Sequence, residues 1–266
     1  MTADGALSAP LHAAVVRAAH TERLLLALDF DGTMSPLVAR AGDARPLPAA
    51  AAAFAALAGM ERTTTALISG RALDSLRVVA SPPAQTLLIG SHGAEVWLGP
   101  DSPGIALTEE QDHVRRRTQA LVQMAVLLHK GTVMELKPAG VVLHYRQASR
   151  HQAKAAVAQV RDGLVNEPGL FITEGKMVLE MSVVNADKGQ GLELLRRASD
   201  PTAVLFAGDD VTDEHGFAVL GAADVGIKVG DGDSAAPFRV GSPAALAEVL
   251  ELLAAERADW LRSQRA

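Results

Sequence analysis

Leu24-Leu25-Leu26-Ala27-Leu28 runs directly into Asp29-Phe30-Asp31-Gly32-Thr33. Five apolar residues without polar alternation predict a strand buried on both faces. Their abrupt end in two acids and a glycine predicts a turn at the strand's carboxyl end, where open α/β sheets bind ligands. Two acids one residue apart can divide phosphoryl chemistry between them: one attacks phosphorus and the other protonates the leaving oxygen. Their oxygens also suit Mg²⁺, a hard ion. The same residues could equally form a solvated acidic turn or a helix N-cap, so the motif needs partners elsewhere in the chain.

Working outward, apolar runs alternate with helical patterns. An Ala-rich helix is expected over 48–60, a strand over 64–68 ending at Ser69-Gly70-Arg71, a short helix over 72–79, and a strand over 86–89 leading to Gly90-Ser91-His92-Gly93. After residue 187 the style returns, with a helix over 188–198, strands over 204–207 and 224–229, and a terminal helix from Pro243 to Leu253 or beyond. Buried strands between helices predict a doubly wound parallel sheet. The middle differs. Helices over 109–129 and 151–165 are each followed by two alternating strands, 132–137 with 141–146 and 170–173 with 177–181. Two such αββ units predict a small open sheet with helices on one face. The expected organisation is an α/β core of residues 1–99 and 185–266, interrupted by an inserted α+β domain over 100–184.

Composition narrows the function. The 266 residues are 48% hydrophobic but only 3% aromatic, so Ala, Leu and Val must build the core. A formal charge of -6, with no dense Lys/Arg run, argues against nucleic acid as partner. Cysteine is absent, which excludes disulfides, thiolate metal sites and a thiol nucleophile. No stretch approaches the roughly 20 apolar residues of a spanning helix, and Met1 to Pro10 lacks the pattern of a signal peptide. A soluble cytoplasmic protein without membrane or obligate protein partners is expected.

Three further motifs sit at predicted element ends. Gly208-Asp209-Asp210-Val211-Thr212-Asp213-Glu214 is a second acidic cluster at a strand end, with Asp209 and Asp213 spaced to share one helical turn. Ser69-Gly70 offers a hydroxyl and backbone N–H groups to phosphate oxygens. Lys188, at a helix start, can neutralise a phosphoryl group. In the insertion, alternation puts Glu135 with Lys137, His144 with Arg146, and Lys176 with Glu180 on shared strand faces. Such pairs suit hydrogen bonding to a polyhydroxylated ligand, although an ordinary solvated face would look the same.

The ordered set Asp29-x-Asp31-Gly32-Thr33, Ser69, Lys188 and Gly208-Asp209-Asp210-x-x-Asp213 resembles the haloacid dehalogenase superfamily, and the insertion resembles its C2-type cap. Ile68-Ser69-Gly70-Arg71, Gly90-Ser91-His92-Gly93-Ala94-Glu95, His144-Tyr145-Arg146 and Gly175-Lys176-Met177-Val178-Leu179-Glu180 further resemble the trehalose-6-phosphate phosphatases. That resemblance implies Mg²⁺-dependent hydrolysis of trehalose 6-phosphate through an aspartyl-phosphate intermediate. It implies Asp29 as nucleophile, Asp31 as acid/base, and Ser69 and Lys188 on the phosphate. Asp29, the Asp31 carbonyl and Asp209 would hold the metal, with Asp213 or Asp210 in support. Thr33, Gly70, Arg71, Ser91, His92, Glu95, His144, Arg146, Lys176 and Glu180 would line the substrate. Another sugar phosphate, a phosphomannomutase-like transfer and a non-enzymatic sugar-phosphate sensor stand as alternatives. Ser182-Val183 occupies positions where the family often carries Arg-Pro.

Overall fold

The structure, a computed structural model, describes residues 7–165, 167–175 and 177–265. The chain separates into two compact units, one running to Ser102 and resuming at Ala186, the other Pro103–Asn185.

The first unit is a seven-stranded sheet. Its strands are β1 (Leu24–Leu28), β2 (Thr63–Ile68), β3 (Leu87–Gly90), β4 (Glu95–Trp97), β9 (Ala203–Gly208), β10 (Val225–Val229) and β11 (Phe238–Val240), in the order β11-β10-β9-β1-β2-β3-β4. All neighbours are parallel except β3 and β4. The burial pattern explains why β1 shows no alternation. Leu24, Leu26 and Leu28 enter one apolar cluster with residues of α1 (Ala9–Ala19), α2 (Pro48–Ala58) and α8 (Pro243–Ser263). Leu25 and Ala27 enter another with Ile68, Ile89, Phe206 and the Leu192 and Leu195 side chains of α6 (Lys188–Ser199). Each such fully buried leucine contributes roughly 1.5–3 kcal/mol of transfer free energy, so the sheet is held from both faces.

Helix ends are set locally. Pro48 and Pro243 occupy first-turn positions, where a missing N–H costs nothing, and the Ser242 side chain accepts from Ala245 N. Asp187 caps α6 by accepting from Gln190 N. The short helices α3 (Leu73–Ala80) and α7 (Asp213–Ala218) follow β2 and β9. Opposite the site, the base of the sheet is tied by Arg257, fully buried on α8. It donates to Thr63 Oγ1 and to the carbonyls of Ala19, Thr21, Glu22 and Arg62. Burial, then Arg62, pushes its pKa down to about 10.

The second unit is an antiparallel sheet of β5 (Val133–Lys137), β6 (Gly140–His144), β7 (Phe171–Gly175) and β8 (Val178–Ser182), in the order β5-β6-β8-β7. Helices α4 (Glu109–Leu128) and α5 (Arg150–Gly163) cover one face. Val122, Ala125, Ala153, Ala156 and Val160 pack there on Val141, Leu143, Leu179 and Met181. Thr108 and Gln111 form a reciprocal capping box at the start of α4.

Three differences from the sequence reading have physical causes. Helix α1 is present where no element was expected; Leu11, Ala14, Val15 and Ala18 form its buried stripe, and Ser8 caps it. Edge strands β4 and β11 have only three residues each, too few to show a period. The strand expected over 141–146 ends at His144. Tyr145 N still donates to Met177 O, but Ala148 N closes a turn onto Tyr145 O, so exposed Arg146 leaves the face it was expected to share with His144.

Candidate active site

Strand β1 lies between β2 and β9, with Leu28 level with Leu67 on one side and Ala207 on the other. Parallel neighbours end together, so the segments leaving these three strands begin side by side. Asp29 leaves β1, Ser69 leaves β2, and Asp209 follows the last residue of β9. Asp29 N donates to Ala207 O at 2.9 Å, which carries the pairing one residue past the strand.

The Asp29 carboxylate is buried, and its two oxygens have different partners. Oδ1 accepts from Lys188 Nζ at 2.7 Å and Oδ2 from Thr33 Oγ1 at 3.2 Å. Lys188 opens α6 and also donates to Asp213 Oδ1 at 2.7 Å. Asp213 is fully buried, and its second oxygen accepts from Asp210 N at 2.9 Å. Burial alone would depress the Lys188 pKa, but Asp213 and Asp29 override it and hold the ammonium above the ordinary lysine range. Burial raises the Asp29 pKa well above the usual carboxylate range. Asp213 and Asp209 add to that rise and Lys188 opposes it.

This balance tests whether a metal fits. Asp29, Asp209 and Asp213 each offer a carboxylate oxygen, and the three atoms lie within 4.8 Å of one another. Asp29 and Asp213 bond the Lys188 ammonium and half-buried Asp209 stands near them, so the acids outnumber that one cation. All the donors are hard oxygens, which suit a small divalent cation. The group fits. Gly32 makes the approach of Asp209 feasible: its φ is +79°, and a Cβ there would lie 2.1 Å from Asp209 Oδ2. Asp209 and Asp213 do not share one helical turn as their spacing implied. Asp209 precedes α7, and Asp213 is the helix's first residue.

Asp31 sits on the turn after Asp29, where Gly32 N donates to Ser35 O and three amides converge on Phe30 O. The Arg71 fork grips the Asp31 carboxylate at both ends, Nε to Oδ2 and Nη2 to Oδ1, each at 2.6 Å. The Arg71 guanidinium also lies over the Phe30 ring. Ser69 is buried at the end of β2, its Oγ accepting from Arg71 N at 3.2 Å. Ser91 and Glu95 belong to this unit but bond to each other, Ser91 Oγ donating to Glu95 Oε1 at 2.6 Å. The His92 ring stands beside Gly70.

The expected sugar-facing residues lie in the second unit. Glu180 accepts from Lys137 Nζ at 2.7 Å, and His144 Nε2 meets Glu135 Oε2 at 2.7 Å. Register puts Glu135, Val142 and Glu180 in one row on the face away from the helices. Lys176 lies outside the described residues. Ser182 Oγ donates to Val184 O and accepts from Val184 N, closing a tight local loop.

Sequence reasoning missed Lys228, buried on β10, whose Nζ donates to Asp209 O at 2.7 Å and lies 3.7 Å from Glu214 Oε1. A lysine inside the apolar run Val225-Gly226-Ile227-Lys228-Val229 was the available signal. A charge is rarely buried without a partner.

The sequence profile of the trehalose-phosphatase family matches residues 27–243. The trehalose-phosphate phosphatase of Mycobacterium avium is 35% identical, over 85% of this chain and 61% of that protein. The bifunctional trehalose-6-phosphate synthase/phosphatase of Thermoproteus tenax is 32% identical, over 88% of this chain and 32% of that one. The chain thus spans less than two thirds of these curated relatives. The C-terminal domain of the C. albicans trehalose-6-phosphate phosphatase has the same fold, with a TM-score of 0.78 at 20% identity over 94% of this chain and 97% of that one. The family profile covers the Asp29 turn, the Lys188 helix and the second acidic cluster alike, and the chain belongs to the trehalose-phosphatase family.

Proposed function

We propose that this chain hydrolyses trehalose 6-phosphate to trehalose and phosphate. The observation that carries the reading is the Asp29 carboxylate, seated at the end of the central strand with one oxygen on Lys188 and the other on Thr33, two residues before a second acid. Family membership supplies the substrate, since the M. avium relative is a trehalose-phosphate phosphatase.

In the first step an Asp29 oxygen attacks phosphorus in line. The bond from phosphorus to the sugar oxygen breaks, and Asp31 gives that oxygen its proton. In the second, Asp31 takes a proton from water, whose oxygen attacks phosphorus; the bond to Asp29 breaks and phosphate leaves. Lys188 and Ser69 carry charge on the phosphoryl oxygens. Asp29, Asp209 and the Asp31 carbonyl would hold Mg²⁺, with Asp210 in support. Asp213, whose oxygens serve Lys188 and the Asp210 amide, would orient the others. When bound, the metal supplies positive charge to the phosphoryl group and to the attacking carboxylate. Glu180, His144 and Lys137, with Glu135 beside them, would receive the sugar hydroxyls.

Phosphate release from a panel of sugar phosphates tests the reading. Trehalose 6-phosphate should be the preferred substrate, with activity lost to chelator and restored by Mg²⁺. Preference for another sugar phosphate overturns the substrate, and full activity after exhaustive chelation overturns the metal.

A further inference from the structure

The turn after β3 is more constrained than a loop needs to be. Ser91 and His92 have φ of 46° and 56°, two successive non-glycine residues in the left-handed region. Such conformations cost free energy and persist only where their surroundings hold them. Two bonds hold this one to the segment that leaves β2: Ser91 N donates to Arg71 O at 2.7 Å, and His92 N donates to Ser69 O at 3.0 Å. The His92 ring closes over the same segment, since a Cβ on Gly70 would lie 2.4 Å from His92 Cε1.

Glu95 braces both sides of the contact. One oxygen accepts from Ser91 Oγ at 2.6 Å, and the other faces Leu73 N at 3.5 Å, at the start of α3 just beyond Arg71. Its side chain is buried, and the groups bonded to it are a serine hydroxyl and a backbone N–H. Arg71 in turn holds Asp31 with both arms of its fork. A connected path therefore runs from Glu95 through Ser91 and the Arg71 backbone to the Asp31 carboxylate.

We propose that Glu95 is a positioning residue for the reaction rather than a sugar contact: it fixes the turn that fixes Arg71, and Arg71 sets where Asp31 stands. This inference rests on the hydrolase reading above. Its consequence is specific to leaving-group protonation. Misplacing Asp31 should slow esters of poor leaving groups, which need the proton, and spare esters of good ones, which do not.

The test compares kcat/KM, which reports steps through leaving-group departure, for trehalose 6-phosphate, phenyl phosphate and p-nitrophenyl phosphate. Glu95→Ala should lower it about a hundredfold for trehalose 6-phosphate, strongly for phenyl phosphate and less than about threefold for p-nitrophenyl phosphate, in line with the weight of a general acid. Glu95→Gln should fall between, because an amide can still accept from Ser91 Oγ but would present a donor to the donor Leu73 N. A loss confined to trehalose 6-phosphate, with phenyl phosphate untouched, would mean that Glu95 contacts sugar and would overturn the proposal. Equal losses on all three esters would do so too, leaving Glu95 a structural role only. Amide hydrogen exchange reads the mechanical half independently. Glu95→Ala should speed exchange at Ser91, His92 and Leu73, and unchanged rates there sink the link. A wild-type enzyme inert toward all three esters would refute the hydrolase reading itself, whatever the exchange shows.

Discussion

Two lysines in this molecule each meet a carboxylate at 2.7 Å, yet they sit in different electrostatic worlds. Lys188 bonds Asp29 and Asp213 with side-chain exposures of 2%, 5% and 0%. Lys137 bonds Glu180 with side-chain exposures of 6% and 15%, and beside it the His144–Glu135 pair is 38% and 42% exposed. In the core, Lys188 bonds two carboxylates, buried Asp29 and Asp213, and half-buried Asp209 stands close to both as a surplus. On the second unit's sheet, Lys137 meets Glu180 and His144 meets Glu135. A surplus beside buried charges acts strongly on every charge that enters, because the local dielectric is low. That is what phosphoryl transfer needs. The wet His144–Glu135 pair is worth little as an ion pair, and a pair without surplus charge can exchange partners with hydroxyls. That is what sugar recognition needs.

The contrast breaks most completely at Asp29. Asp29→Asn keeps shape and leaves Lys188 its Asp213 partner, so the fold should survive. Turnover should fall at least a thousandfold, as losses of a nucleophile do. Phosphate release by the purified variant, with circular dichroism as control, checks both halves. A gentler break leaves every charge in place. Gly32→Ala would force a side chain to φ +79° and into the space of Asp209 Oδ2. The strain should cost about 1–2 kcal/mol of stability. Displacing Asp209 should lower activity more than tenfold and raise the Mg²⁺ concentration needed for half-maximal rate. A normal metal titration would show that Asp209 does not ligate.

The core was legible in sequence because its chemistry sits at strand ends. An unalternating apolar run must end somewhere, and acids at Asp29 and Asp209 mark where. Their meeting depends on β1 lying between β2 and β9, an order the structure supplies and a doubly wound sheet accommodates. The Arg71 grip on Asp31 and the Lys228 bond to the Asp209 carbonyl were not legible. Arg71 reaches Asp31 across a turn whose direction no local pattern fixes, and Lys228 reaches the Asp209 carbonyl because β10 pairs with β9, Lys228 level with Gly208. In the second unit, period-two alternation gave the shared face of Glu135 and Lys137 and that of Glu180. It could not give the diagonal reach from Lys137 past β6 to Glu180, nor the turn that removes Arg146 from the strand.

The paired face sharpens the comparison through selectivity. Glu180→Ala removes the carboxylate bonded to Lys137, and with it one acceptor for a hydroxyl. A hydrogen bond to a charged group is worth roughly 1.5–3 kcal/mol. We therefore expect kcat/KM for trehalose 6-phosphate to fall about tenfold or more, since about 1.4 kcal/mol is a factor of ten. Hydrolysis of p-nitrophenyl phosphate should change far less. Equal losses on both esters would assign Glu180 to folding rather than recognition.

The smallest expected effect comes from the most exposed pair. The bond from His144 comes first among the influences that hold the Glu135 carboxyl below its ordinary range; burial opposes it, and Lys137 and His144 add attraction. A carboxyl whose pKa is lower folded than unfolded binds fewer protons in the native state. It stabilises the fold above its unfolded pKa, and that contribution disappears as pH falls through the folded one. Both side chains are more than a third exposed, so solvent screening keeps the contribution below about 1 kcal/mol. Glu135→Gln should therefore lower the thermal midpoint slightly at about pH 7. The difference from wild type should close at about pH 3, below the ordinary glutamate range, where the carboxylate is being lost. Midpoints of both proteins at the two pH values decide it. A gap that persists in acid would mean that Glu135 acts through shape rather than charge. No gap at either pH would mean that water screens the pair entirely, and the contrast with buried Lys188 would then be as wide as it can be.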